Sequence, residues 1–241
     1  MLNLRPRHHR ASLLIEPIQY GRSVYGAPLL YFPAQTNSDN AGLIFAGTHG
    51  DETASISTLS CALRSIEPSQ LQHNVILSIN PDGNQMGIRS NANCVDLNRN
   101  FPTQNQLHQD TVYRWNSLAN NRDVTIKTVS SKEIEPETQA IIELMSQLKP
   151  KFAVSFHEPL ACVDDPNFSR LAFWLSKQFS LPVVQDVGYE TPGSFGTWCQ
   201  ENRTPCVTVE LPAISADSAS ETYINPMIRL LTSDLSSLTK K

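Results

Sequence analysis

The sequence predicts an α/β fold in which a mixed, largely parallel twisted sheet is flanked by helices. Short continuous apolar runs of strand length alternate with longer segments that carry apolar residues at helical spacing. Hydrophobic residues make up 40% of the 241 positions and charged residues 17%, which is typical of a globular protein and excludes a chain-wide coiled coil. A chain of this length can bury a substantial core, so we expect residues 1–241 to form a single domain.

The predicted elements alternate between strand and helix along the chain. A turn and a strand are expected over 24–32, and continuous buried strands over 42–46, 75–79, 152–156 and 206–209. Helices are expected over 53–64, from Pro136 onward, over 168–179 and over 221–238. The segment 80–109 is rich in Asn, Gly and Pro, which predicts a long functional loop.

Charge and hydropathy argue against two kinds of partner. A formal net charge of −4 is too mild to indicate nucleic-acid binding. No apolar run approaches the roughly 20 residues of a membrane span. The basic cluster over 5–10 resembles the start of a signal peptide, but Glu16 and Pro17 interrupt the apolar run that follows, so we interpret it as a surface segment. We therefore expect a soluble, cytoplasmic protein.

The cysteines fit that compartment. There are five of them, no two with C-x-x-C spacing, and an odd count argues for reduced thiols. A polar turn separates Cys199 from Cys206, and the spacing leaves open whether these two form a disulfide.

Three polar residues come directly after predicted buried strands. His49, His157 and Glu210 each follow such a strand at its carboxyl end, where open α/β sheets bind their ligands. Glu52 lies three residues after His49, close enough for both to bind one metal ion. Two histidines and a glutamate, with one position left open, are a ligand set of catalytic zinc. Each histidine taken alone is equally compatible with an unrelated polar residue in a loop.

Six short strings give this site a family context. They are THGDE, NPDG, DLNRNFP, SFHEP, PGSFGTW and VELP, in that order between about Tyr20 and Pro212. The chain resembles the zinc carboxypeptidase family, and the close spacing points to its branch of murein peptide amidases. The resemblance implies the zinc carboxypeptidase fold and one Zn²⁺ per chain, held by His49, Glu52 and His157. It also implies that Glu210 is the general base, although a carboxylate paired with a lysine is the alternative.

The same resemblance implies roles for four further residues. Asn98 and Arg99 would bind the free carboxylate of the released residue, and a guanidinium suits that task. Arg89 would face the oxyanion that develops beside the metal. Tyr189 would cover the substrate. The alternatives are a turn capped by Asn98 and Arg99, a surface cation for Arg89 and a wall-packing side chain for Tyr189.

The implied reaction is hydrolysis of the γ-D-glutamyl-diaminopimelate bond of a small murein peptide, L-Ala-γ-D-Glu-diaminopimelate. The side chain of diaminopimelate ends in an amine and a carboxylate, so its pocket needs donors and acceptors. Candidate pocket residues, which one sequence cannot rank, are Glu158, Asp186, Glu190, Thr191, Ser194 and Thr208. Two alternatives stay open: an N-acyl amino acid deacylase of the aspartoacylase kind, and a catalytically silent zinc or peptide-binding module. The sequence does not indicate the oligomeric state.

Overall fold

A computed structural model of the chain describes residues 9, 13–36, 38–107, 111–116, 121–126 and 133–239. Most of the basic cluster over 5–10, and the last two positions of the predicted loop over 80–109, lie outside these residues. In the described part, no helix is both long and apolar enough to cross a membrane.

The described residues contain ten strands. In chain order they are β1 (Ile18–Arg22), β2 (Pro28–Tyr31), β3 (Leu43–Phe45), β4 (Asn74–Ile76), β5 (Thr111–Asn116), β6 (Asn121–Ile126), β7 (Ala153–His157), β8 (Leu160–Asp164), β9 (Val183–Val184) and β10 (Cys206–Pro212). Six of them form the central sheet in the order β4-β3-β7-β10-β8-β9. The pairing of β10 with β8 is antiparallel and the other four pairings are parallel, which confirms the predicted mixed, largely parallel sheet. The remaining strands form two antiparallel pairs, β1 with β2 and β5 with β6.

In the same part of the chain, six α-helices accompany the strands. They are α1 (Thr53–Ser65), α2 (Pro81–Met86), α3 (Pro136–Leu148), α4 (Arg170–Phe179), α5 (Phe195–Glu201) and α6 (Ala216–Thr232). Short 3-10 helices lie at Ser38–Asn40, Pro68–Gln70, Leu97–Arg99 and Ser236–Leu238. Several begin where the sequence supplies a cap. Pro136 occupies the first turn of α3, and the Ser169 hydroxyl accepts a hydrogen bond from the Ala172 amide at the start of α4.

The two faces of the central sheet pack against different helices. Along β7, Val154 and Phe156 join one apolar cluster, which contains residues of α1, α4 and α6. Ala153, on the opposite face, joins a second cluster with residues of α3 and α5. Because side chains alternate along a strand, Ser155 and His157 lie on the same face as Ala153. The functional side chains therefore stand on the α3 and α5 face.

Several predicted boundaries were wrong. The sequence did not predict β1, β8 or α5, and the loop over 80–109 contains α2 and a 3-10 helix. The strand expected over 75–79 ends at Ile76. The last helix begins at Ala216 rather than near 221, because the Ser215 hydroxyl accepts a hydrogen bond from the Ser218 amide and caps it.

Candidate metal centre and substrate groove

The predicted metal ligands come together in one buried cluster. His49 lies in the loop between β3 and α1, Glu52 directly precedes α1, and His157 is the last residue of β7. One ligand atom from each residue lies within 4.8 Å of the other two. His49 Nδ1 is 2.6 Å from Glu52 Oε1, and His157 Nδ1 is 2.9 Å from Glu52 Oε2. Two imidazoles and a carboxylate at this separation are suited to hold one zinc ion.

The segment NPDG holds the loop that carries His49. The Asn80 side-chain amide donates hydrogen bonds to the carbonyls of Thr48 and Ser90, at 3.3 and 3.0 Å. Gly50 packs directly on this segment: a Cβ atom there would lie 2.1 Å from the carbonyl carbon of Gly83. The family-like NPDG string thus positions the metal loop, and its tight contact with Gly83 requires glycine at position 50.

Asp96 is a site residue that the sequence analysis missed. Its Oδ1 lies 3.0 Å from His49 Nε2, and its Oδ2 accepts a hydrogen bond from Arg89 Nε at 3.0 Å. A carboxylate can only accept, so His49 Nε2 carries a hydrogen and Nδ1 is the ring nitrogen that faces Glu52 and the cluster. Metal-binding histidines are typically oriented by such a carboxylate. The available signal was the Asp of DLNRNFP, which resembles an ordinary turn residue.

The cluster is strongly coupled electrostatically. Burial and Arg89 oppose protonation of His49, but Glu52 and Asp96 outweigh them and raise the pKa of His49 to about 9. Burial disfavours the ionised form of Glu52, but His49 and His157 outweigh burial and hold the pKa of Glu52 below its usual range. A metal ion that binds here must therefore displace a proton from His49.

Glu210 lies beside the cluster, but within a strand rather than beyond its end as predicted. It is the fifth residue of β10, where it pairs with His157 of β7 on one side and Cys162 of β8 on the other. His157 likewise belongs to β7 itself. Burial raises the pKa of Glu210, against an opposing effect of His157. Its Oε2 atom is buried and has no hydrogen-bond partner among the described residues. A carboxylate oxygen in that situation is available to a ligand or to water.

Arg89 belongs to this cluster and is not a surface cation. Its side chain is only 18% exposed, and Nη1 lies 3.5 Å from Glu52 Oε1. Asp96 and Glu52 outweigh the effect of burial and raise its already high pKa. The guanidinium is therefore a fixed positive charge next to the predicted metal ligands.

Asn98 and Arg99 are fixed against the start of α5. The Asn98 Oδ1 atom accepts a hydrogen bond from the Phe195 amide at 2.9 Å, and Arg99 Nη1 donates to the Asn98 carbonyl at 2.6 Å. Gly193 has a φ of +70°, and a Cβ there would lie 2.4 Å from the Arg99 carbonyl oxygen. The DLNRNFP and PGSFGTW strings thus pack against each other. Burial disfavours the ionised form of Asp96, but Arg89 and His49 outweigh burial and hold its pKa well below the usual range, and the positive charge of Arg99 acts in the same direction.

Tyr189 lines a groove of about 760 Å³. The other lining residues are Asn105, Leu107, Asp186, Glu190, Thr191 and Pro192, three of which are predicted pocket candidates. Two further candidates instead cap helices: Glu158 accepts from the Ser55 amide of α1, and Ser194 accepts from the Thr197 amide of α5. Thr208 lies in β10, two residues before Glu210. None of the five cysteines, all of which lie in the described residues, forms a disulfide, Cys199 and Cys206 included.

Comparison with known proteins agrees with this geometry. Residues 4–159 match the protein family described as zinc carboxypeptidase. Murein peptide amidase A of Vibrio campbellii is 61% identical over 233 residues, which cover 97% of this chain and 94% of that protein. The crystal structure of a murein-tripeptide amidase from Escherichia coli O157 superimposes with a TM-score of 0.92 at 53% identity, over 97% of this chain and 98% of that one. Carboxypeptidase A from Helicoverpa armigera shares the fold, with a TM-score of 0.68 at 12% identity. The superposition covers 95% of this chain and 70% of the carboxypeptidase chain.

Proposed function

Because the chain belongs to the zinc carboxypeptidase family, we propose that it is a zinc-dependent amidase that hydrolyses the γ-D-glutamyl-diaminopimelate bond of murein peptides. One observation carries this proposal: beside the buried His49, Glu52 and His157 cluster lies Glu210, whose buried Oε2 atom has no hydrogen-bond partner among the described residues. The names of two similar proteins, murein peptide amidase A and murein-tripeptide amidase, support the substrate class. The proposal treats residues 1–241 as one catalytic domain, since helices from both halves of the chain pack on one central sheet.

The three predicted ligands would hold the zinc ion of the family. When bound, zinc supplies a Lewis acid that polarises a carbonyl and makes water acidic enough to lose a proton near neutral pH. Asp96 keeps the hydrogen of His49 on Nε2, so that Nδ1 is the ligand atom.

Glu210 is proposed as the general base. Its buried Oε2 has no internal hydrogen bond to break before it accepts a proton from the attacking water. Burial also raises the pKa of this carboxylate, which increases its basicity. The same oxygen would then pass the proton to the leaving amine, since an amide nitrogen must be protonated to depart. Glu210 would thus move one proton between two sides of the scissile bond.

Arg89 is proposed to stabilise the oxyanion. Asp96 anchors the guanidinium through Nε, and this leaves its Nη1 side next to Glu52 of the metal cluster. A prepositioned cation at this place opposes the negative charge that develops on the carbonyl oxygen. Loss of one such donor typically costs about 100- to 1,000-fold in kcat.

Asn98 and Arg99 are proposed to bind the terminal carboxylate of the released residue. The backbone of Arg99 packs against Gly193, and the Asn98 side-chain oxygen accepts a hydrogen bond from the Phe195 amide, so the segment that carries both residues is fixed. Arg99 can offer two parallel N–H groups to a carboxylate, which favours substrates with a free carboxyl end. Tyr189 lies at the adjoining groove, where it would cover the bound peptide. A cytoplasmic location is part of the proposal, and the five free thiols support it.

The test is mass analysis of the products formed from L-Ala-γ-D-Glu-diaminopimelate by the zinc-loaded protein. We expect diaminopimelate to be released, a chelator to stop its release, and added zinc to restore it. N-acetylaspartate serves as the comparison substrate, and activity on it alone would indicate a deacylase instead. A Glu210→Gln variant should bind zinc normally but turn over about 100- to 10,000-fold more slowly. A variant that kept full activity would show that Glu210 is not the base.

A further inference from the structure

A second row of polar side chains crosses the sheet next to the catalytic row. Thr208 of β10 pairs in register with Ser155 of β7 and with Asp164 of β8. The catalytic row, His157, Glu210 and Cys162, lies two residues away on the same three strands. Because side chains alternate along a strand, both rows project from the same face of the sheet.

Diagonal neighbours on adjacent strands lie about 7–8 Å apart, so Asp164 stands roughly that far from Glu210. Cys162 pairs with Glu210 and lies two residues before Asp164 on β8. Burial raises the pKa of its thiol to about 11, and the charges of Glu210 and Asp164 contribute to that increase.

This second row has unused hydrogen-bonding capacity. The Oγ atom of Ser155, a residue 2% exposed, and the Oδ1 atom of Asp164 are buried and have no hydrogen-bond partner among the described residues. The neighbouring Asp165 differs, because both of its oxygens accept backbone hydrogen bonds, from Asn167 and Ser169. Asp165 thus supports the local backbone, whereas Asp164 has an oxygen available to a ligand.

The surroundings of Asp164 favour a cation. Burial raises the pKa of this carboxyl to about 6, and the charges that act on it, Asp165 and Asp186, are both negative. Asp186 also lines the groove that contains Tyr189, so one of these two negative charges lies at that groove. A positively charged ligand group here would gain a charge-assisted hydrogen bond and relieve the repulsion.

We propose that Ser155, Thr208 and Asp164 form the floor of the pocket for the side chain of the released residue, and that Asp164 binds its ammonium group. The hydroxyls of Thr208 and Ser155 would donate hydrogen bonds to the carboxylate at the end of the same side chain. This inference rests on the proposed function, because it presupposes that the released residue is diaminopimelate. It adds a residue that discriminates between side chains.

The reason for discrimination is the cost of an unpaired charge. A substrate that lacks the ammonium group would bury Asp164 without a partner, and sites built around a buried polar group reject such analogues strongly. An aliphatic pocket floor would instead disfavour the diaminopimelate side chain, because burial of an unpaired ammonium group costs free energy.

The experiment compares two tripeptides that differ in one group. One ends in diaminopimelate, and the other ends in 2-aminopimelate, which keeps the distal carboxylate but has no side-chain amine. For the wild-type enzyme we expect kcat/KM to be about 10- to 100-fold higher on the first. Asp164→Asn should lower kcat/KM on the diaminopimelate peptide by a similar factor, but should not lower kcat/KM on the 2-aminopimelate peptide, because that peptide no longer buries an unpaired charge.

Asp165→Asn is the matched control, since it removes the same charge from the next residue. It should lower the melting temperature but keep the preference for diaminopimelate. The dissociation constant of each peptide for the Glu210→Gln protein, with and without Asp164→Asn, reports recognition separately from turnover.

The outcomes separate the two proposals. A wild-type enzyme that releases no diaminopimelate would refute the proposed function. One that releases it, yet cleaves both peptides within about threefold of each other, would refute only the role of Asp164, and this comparison needs no variant. An Asp164→Asn protein that folds, binds zinc and retains the full preference would refute it as well.

Discussion

Replacement of Asp96 by Asn is expected to weaken zinc binding without changing any ligand. The Asp96 carboxylate accepts hydrogen bonds from His49 Nε2 at 3.0 Å, Arg89 Nε at 3.0 Å and the Asn98 amide at 2.8 Å. An asparagine side chain has one acceptor oxygen, and its NH₂ group would face the hydrogen of His49 or of Arg89. His49 would then lose its fixed orientation, and Arg89 would lose its closest counter-charge.

The size of the effect follows from these contacts. Loss of the carboxylate that orients a metal-binding histidine typically costs about 10- to 100-fold in metal affinity or activity. This corresponds to about 1.4–2.8 kcal/mol, the range expected for one hydrogen bond to a charged group. We expect an additional loss of kcat, because Arg89 is held in place by the same carboxylate.

Competition between the protein and a chromophoric zinc chelator measures the affinity directly. Asp165→Asn is again the control, because Asp165 is equally buried and accepts two backbone hydrogen bonds away from the metal cluster. It should lower the melting temperature and leave the zinc affinity unchanged. If folded Asp96→Asn bound zinc within about twofold of wild type, the assignment of Asp96 as the residue that positions His49 would be wrong.

Three further changes should separate site geometry from stability. Gly50→Ala should weaken zinc binding by about tenfold or more, because the new Cβ would overlap backbone atoms of Gly83; unchanged affinity in the chelator assay would contradict this. Phe179→Ala should cost about 3–5 kcal/mol in urea unfolding, since it removes a buried ring that packs between Phe156 and Tyr223. KM should not change, because Phe179 lies on the opposite face of the sheet. Finally, burial raises the pKa of Asp164 to about 6, so the folded protein binds this proton more tightly than the unfolded chain. The melting temperature of wild type should therefore fall relative to that of Asp164→Asn as pH rises from about 4 to 6. If the melting temperatures of the two proteins differed by the same amount at both pH values, this expectation would be refuted.

The metal ligands could be predicted from sequence because each has a local signal. His49 and Glu52 are three residues apart, and His157 ends a strand that the apolar run over 152–156 clearly indicates. Parallel strands bring their carboxyl ends to one edge of a sheet, so residues far apart in sequence meet there. The alternation of strands and helices is therefore sufficient to predict the α/β fold class without knowledge of tertiary contacts.

Asp96 had no such signal. It is 47 residues from His49 in sequence, and its loop lies between elements rather than at the end of a strand. Its carboxylate also caps a 3-10 helix, which is the ordinary task of an aspartate in a loop. An aspartate that only caps a helix and one that also orients a histidine have the same local sequence pattern. The two differ by a tertiary contact, here the one between Asp96 and His49.

The second polar row was hidden by a different effect. The runs over 152–156 and 206–209 predict continuous buried strands, and within them only Thr208 is a candidate pocket residue, whereas Ser155 resembles a minor polar residue in an apolar run. The antiparallel strand β8, which carries Asp164, was not predicted at all, because an inserted antiparallel strand interrupts the strand–helix alternation on which the fold prediction depended. Only the register of three neighbouring strands brings Ser155, Thr208 and Asp164 into one line. A buried polar atom without a partner costs free energy in the folded protein. Two such atoms in one row beside Glu210 are therefore better explained by a polar ligand than by packing, and the comparison of diaminopimelate with 2-aminopimelate tests that explanation directly.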